Sequence, residues 1–296
     1  MQPRSPSKSL NASCGAAPPR GRGKKHRAKS QSFPDWALAI AACVAAVFSP
    51  VLSCPSHAED AEISSRRTSE RLSFSDSEIA EGFFQVAFGA ELQFGPREER
   101  IRKFDEPVRV FIDQRGGPSR RDEIAAVVAD IRDHVSYLDF ALTDDRKASN
   151  LIVTIVRERD LGRTLAARFG RKKAKKIKRS LDPVCLSGIR KDETYRIRHA
   201  EVFLPSDSSG FTFYDCAYEE LLQALGPIND SASIPWTMFN DKTQMGFFDR
   251  YDQYLLNILY DPRILPGMTK EEVRRLLPEI MPAVRARVTG SNRKER

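Results

Sequence analysis

The stretch "DCAYEELLQALGPIND", residues 215–230, decides how this chain folds. Stepped at 100° per residue from Phe213, the residues Phe213, Ala217, Leu221, Ala224 and Leu225 form a broad apolar arc, and Asp215, Glu219 and Gln223 make a narrow polar stripe beside it. Glu220 falls near the centre of the apolar side, where packing alone does not explain a carboxylate. A helix apolar over so much of its circumference belongs inside a domain. Its polar stripe must then face a cleft or be paired internally.

Upstream, "AEVFLP" (200–205) reads as a strand that leads directly into this helix, and it is expected at the sheet edge. "PVRVFID" alternates Val108, Val110 and Ile112 as a half-buried strand. "GGPSRRDEIAAVVADIRDHVSYL" gives a turn and then a helix with Ile124, Val127, Val128, Ile131 and Val135 on one face, and "NLIVTIV" is a further strand. The order strand, helix, strand predicts a mainly parallel sheet. "SEIAEGFFQVAFGAEL" restores helical spacing through Ile79, Phe83, Val86 and Ala87 behind a Ser77 cap. Residues 59–76, "EDAEISSRRTSERLSFSD", have the composition of a flexible linker. No internal repeat is present.

The net charge of +8 is mostly a property of the leader. Residues 1–58 hold 8 of the 48 Lys and Arg but one of the 40 Asp and Glu, which leaves 40 basic and 39 acidic residues for the rest. The leader reads as a signal peptide: a basic n-region, an apolar run from Trp36 to about Ser53, and small residues Ser56 and Ala58 before a cut. Cleavage near Ala58 implies a periplasmic or secreted protein. Two alternatives stay open, retention of residues 36–53 as a membrane anchor and lipidation of Cys54. With the leader removed, Cys185 and Cys216 are the two remaining cysteines. In an oxidising compartment they are expected as a disulfide, the alternative being two separate buried thiols.

The run "ARFGRKKAKKIKRSL" gathers Lys172, Lys173, Lys175, Lys176, Lys178 and Arg179 with Phe169 as its nearby aromatic. No base-reading module surrounds it, so nucleic acid is not expected. The plain reading is a solvated face; the functional one is weak contact of Lys172–Arg179 with anionic envelope surfaces.

Around the opening helix a resemblance becomes specific. Zincins place two metal-binding histidines at i and i+4 with a general-base glutamate between them, and the metzincin branch adds a turning glycine and a third ligand. In that frame this chain reads Glu219, Glu220, Gln223, Gly226 and Asn229. The base and the glycine match, whereas the three ligand positions do not. "SIPWTMFND" resembles the methionine turn under such a site, with Met238 in the methionine position, and "FFDRYDQYLLNILYDP" resembles the clan's C-terminal helix. The resemblance implies an α+β, zincin (metzincin)-like domain over residues 77–290, with a mixed twisted sheet, a central buried helix and a C-terminal helical part.

The segments "GFFQVAFGAEL", "IRKFDEPVRVFI", "YEELLQALGPIND" and "FNDKTQMGFFDRYDQYLLNILYDPRILPGMT" also resemble a proteobacterial family of exported domains of unknown function, domain of unknown function 2927. Together the resemblances imply a pseudopeptidase with no cofactor and no metal, whose cleft binds a protein, peptide or glycan of the cell envelope. Zinc prefers imidazole or thiolate to the amides and carboxylate found here. His134 and His199 lack partners at ligand spacing, and His199 is expected at a surface or strand end. The alternative is a hydrolase with Glu220 as base and a hard ion held by Glu219, Asn229 and Asp230.

Overall fold

The structure, a computed structural model, describes residues 60–89, 99–181, 184–240 and 242–294. The signal peptide, the candidate anchor at 36–53 and Cys54 lie outside the described residues. No described helix is long and apolar enough to cross a membrane.

Five strands form one sheet: β1 (Val108–Gln114), β2 (Phe140–Leu142), β3 (Leu151–Val156), β4 (Leu186–Lys191) and β5 (Ile197–Pro205). Their order is β2-β1-β3-β5-β4, parallel throughout except for β4, which runs antiparallel to β5. The mainly parallel sheet matches the expectation, but the edge does not. β5 lies between β3 and β4, and its apolar run is what a strand covered on both faces requires. The edge beside it is β4, "LSGIRK", whose half-exposed and glycine-containing sequence carries no clear alternation.

Side chains alternate between two unequal layers. Val108, Val110 and Ile112 of β1, Leu151, Val153 and Ile155 of β3, and Ala200, Val202 and Leu204 of β5 enter the main core. That core is completed by α2 (Asp76–Val86), α3 (Arg121–His134), α6 (Gly210–Ala224), α7 (Arg250–Leu259) and α8 (Lys270–Lys294). On the other face a smaller cluster unites Val156, Leu186 and Phe203 with the hairpin of α4 (Glu158–Phe169) and α5 (Arg171–Leu181). The basic run lies on α5, which buries Ala174 and Ile177 and exposes Lys172, Lys175, Lys178 and Arg179.

Two local expectations are corrected. The cap of α2 is Ser75, not Ser77: it forms a reciprocal capping box with Glu78. The segment read as a flexible linker contains α1 (Ala61–Thr68), capped by Asp60 and docked on the domain. Ile63 is buried against Gly246 and Phe211. Arg66 stacks 4.7 Å from Phe211, Arg67 4.5 Å from Phe247, and Arg71 4.4 Å from Trp236. Two apolar residues, Ile63 and Phe74, and three arginines on aromatic faces hold the segment, so it needs no apolar period.

Candidate functional site

Helix α6 is set up by Ser209, whose hydroxyl accepts from the Thr212 N–H at 3.2 Å. Phe213, Ala217, Leu221, Ala224 and Leu225 are fully enclosed, and the helix lies across the core side of β5 and β4. The Cys185–Cys216 disulfide, with Cα atoms 5.9 Å apart, ties the start of β4 to α6 as expected. Because Cys185 faces the core, alternation turns Ser187 and Ile189 the same way and Gly188 and Arg190 outward.

The polar stripe of α6 is internally paired at both ends. Asp215 accepts from the N–H groups of Met245 (2.7 Å) and Gly246 (3.2 Å), while burial pushes its carboxyl up to about 6. Gln223 is 7% exposed; its Oε1 accepts from Ser187 Oγ at 3.1 Å and its Nε2 donates to Asp230 Oδ1 at 2.9 Å. Glu219 is half-buried, and Glu220 is buried at 6% exposure within the apolar arc, as the helical projection requires.

The chain leaves α6 at Gly226, where φ is +139° and an added Cβ would lie 2.3 Å from the Arg102 carbonyl oxygen. Only glycine meets both conditions. Beyond the turn, Asn229 Nδ2 donates to the Gln85 carbonyl at 2.8 Å and to the Asp230 carbonyl at 3.2 Å. Asp230 therefore links Gln223, through its side chain, with Asn229, through its backbone.

Met238 sits buried in the following turn. Asp252 of α7 fixes this turn, accepting from Thr237 Oγ1 at 2.5 Å and from the Met238 N–H at 2.8 Å. Asp249 caps α7 by accepting from the N–H groups of Tyr251 and Asp252. Both carboxyls are enclosed; burial, and for Asp249 the adjacent Asp252 charge, push Asp249 well above the usual carboxylate range and raise Asp252 as well.

A family model described as a protein of unknown function (DUF2927) matches residues 76–279. The chain belongs to that family. No curated protein and no solved structure matches it. The DUF2927 match begins at the first residue of α2 and ends within α8, so it takes in both α6 and the Met238 turn and leaves α1 outside.

Among the described residues no three His, Cys, Asp or Glu side chains are gathered as a metal site needs. His134 ends α3, buried beside Asp130 with its Nδ1 2.8 Å from Oδ1. His199 corrects the expectation: it lies within β5, its Nε2 3.3 Å from Glu201, in a pocket on the outer face of the sheet. That pocket also takes in Arg115, Arg146, Arg168 and Arg190, none of which the sequence singled out. The available signal was Glu201, a charge alternating with Ala200 and Val202 in an otherwise apolar strand.

Proposed function

We propose that this DUF2927 chain is an exported, zincin-like binding domain that has no hydrolytic machinery and holds a peptide, protein or glycan partner in the cell envelope. The observation that carries this reading is the engagement of Gln223. At the position where a zincin carries its second imidazole, the chain has an amide whose oxygen and nitrogen are both committed to Ser187 and Asp230.

The surrounding frame supports the likeness. A buried Glu220 precedes the glycine turn, and a buried methionine turn held by Asp252 follows it. The antiparallel edge strand β4 borders the helix. A carboxylate such as Glu220 activates water usefully beside a metal that lowers that water's pKa, and amides at 223 and 229 are poor zinc donors. Export rests on the leader, and the exposed lysines of α5 offer a surface for weak contact with anionic envelope components.

The test takes the protein from its native envelope. Intact mass should give an N-terminus near residue 59, elemental analysis no stoichiometric zinc, and a peptide-library digest no cleavage. One zinc per chain with chelator-sensitive proteolysis that Glu220→Gln abolishes would overturn the reading.

A further inference from the structure

The pocket on the outer face of the sheet is built by strand register. Ile152 pairs with Glu201, Thr154 with Phe203 and Asp113 with Thr154, while Gly188 faces Glu201 and Arg190 faces His199 across the antiparallel pair. Paired residues share a face. Helix α4 contributes Arg168, and the segments after β1 and β2 contribute Arg115 and Arg146. The pocket's volume is about 190 Å³.

Its charges do not cancel. Arg168 clasps Glu201 through Nε at 2.5 Å, and His199 approaches the same carboxylate. Burial opposes ionisation of Glu201, yet these two partners hold its carboxyl down at about 2. Arg115 and Arg146 share one acceptor, Asp113 Oδ2, at 2.7 and 2.8 Å. Arg190 has no side-chain hydrogen bond or ion pair among the described residues. Four guanidiniums thus face two carboxylates, and the excess is positive with His199 left uncounted.

Donors also remain unspent. Arg146 spends only Nη1 on Asp113, which leaves Nε and Nη2 of its five-donor fork. Thr154 is 4% exposed, lines the pocket, and its hydroxyl makes no hydrogen bond among the described residues. Beneath the arginines lies an apolar floor of Ile152 and Phe203, which a solvated arginine surface would not show, and the unpartnered Thr154 hydroxyl is a neutral donor available beside it.

We propose that this pocket binds an oxyanion group, a phosphate, sulfate or carboxylate, gripped by Arg190, Arg115 and Arg146 with Thr154 as a neutral donor. Guanidinium forks suit such anions because two parallel N–H bonds match two oxygens. Glu201 is a positioning residue that orients Arg168 and His199. The volume is below that of typical sites for whole drug-sized ligands, which favours one anionic group. The hairpin that carries Arg168 also exposes the α5 lysines, which would raise the local anion concentration. The site lies on the opposite face of the sheet from α6 and stands whether or not the zincin-like reading does.

The same chemistry can come from a free anion or from a lipid headgroup, and calorimetric titration at low ionic strength separates them. Sodium phosphate should bind saturably at one site. Arg190→Ala should weaken that binding roughly tenfold, the worth of one lost charge-assisted pair. Gly188→Leu should abolish it, because a Cβ there meets nothing within 4 Å and the side chain would extend over Glu201. Arg132→Ala, on α3 at the other side of the sheet, should change it less than twofold.

Phosphatidylglycerol vesicles form the second arm. Vesicle binding that phosphate displaces and Arg190→Ala weakens identifies a headgroup; phosphate binding without vesicle binding identifies a soluble anion. Non-saturable phosphate binding, or binding that Arg190→Ala leaves unchanged, overturns the proposal. Thermal melts without anion verify that each variant is folded, and Arg190→Ala, at an exposed strand position, carries the decision if Gly188→Leu is not.

Discussion

Gly226→Ala is the sharpest probe of the turn that ends α6. At φ +139° a non-glycine residue pays about 1–3 kcal/mol in backbone strain. The added Cβ would also lie 2.3 Å from a backbone oxygen, that of Arg102, and 3.0 Å from Leu259 Cδ2. Forcing such an overlap apart costs about 1–3 kcal/mol more, since a backbone carbonyl cannot rotate away as a side-chain end could. The expected loss is about 3 kcal/mol. For a domain of this size each kcal/mol lowers Tm by roughly 2–4 °C, so the variant should melt roughly 6–12 °C below the parent. Gly162→Ala is the internal control: in α4, with nothing within 4 Å of the added Cβ, it should raise stability by about 0.5–1 kcal/mol. Differential scanning calorimetry on both measures the contrast. A Gly226→Ala midpoint within about 2 °C of the parent would refute the reasoning, because neither strain nor clash would then be present.

Removing the disulfide with Cys185→Ala and Cys216→Ala together opens a loop spanning 31 residues and should cost about 3.5 kcal/mol in urea denaturation; free thiols in native protein would show that the bond does not form. Asp249→Asn should change how stability depends on pH. Asp249 holds its proton more tightly in the folded chain than in the unfolded one, where its ordinary value is 3.8. Its contribution is therefore greatest below that value and declines as the pH rises, because the folded state then binds more protons than the unfolded one. Asparagine can still accept the N–H groups of Tyr251 and Asp252 but has no proton to lose, so the variant should gain on the parent between pH 4 and pH 7. A variant that falls further behind over that interval contradicts the assignment.

The elements read correctly from sequence are those whose own periodicity is strong. β1, α3 and α6 each bury a face that repeats within one segment, such as Ile124, Val127, Val128 and Ile131 on α3, and β3 is a short β-branched run buried on both faces. What escaped has its cause elsewhere in the chain. β2 has three residues, too few for alternation. β4 shows no alternation because, of its outward residues, Leu186 enters the smaller core cluster, Gly188 has no side chain and Arg190 lines the pocket. Helix α1 is polar almost throughout and is held by aromatic rings nearly 150 residues or more away.

The same division applies to the site. The spacing of Glu220, Gln223, Gly226 and Met238 lies within one stretch and was legible. The contacts that give Gln223 its role were not: Ser187 comes from an unrecognised strand, and Gln85, which receives the Asn229 amide at its carbonyl, comes from α2. The outer pocket was invisible for a similar reason. Its arginines are dispersed from 115 to 190 in an arginine-rich chain, and only the sheet register brings them beside Glu201.

The zincin-like frame of α6 meets its most direct test in the variant Glu219→His, Gln223→His, Asn229→His. If the three positions converge beside Glu220 as the frame requires, the folded variant should bind one zinc per chain where the parent binds none, with His at 223 replacing the amide now held between Ser187 and Asp230. A variant that folds, keeps its Cys185–Cys216 bond and still takes up no zinc would contradict the frame.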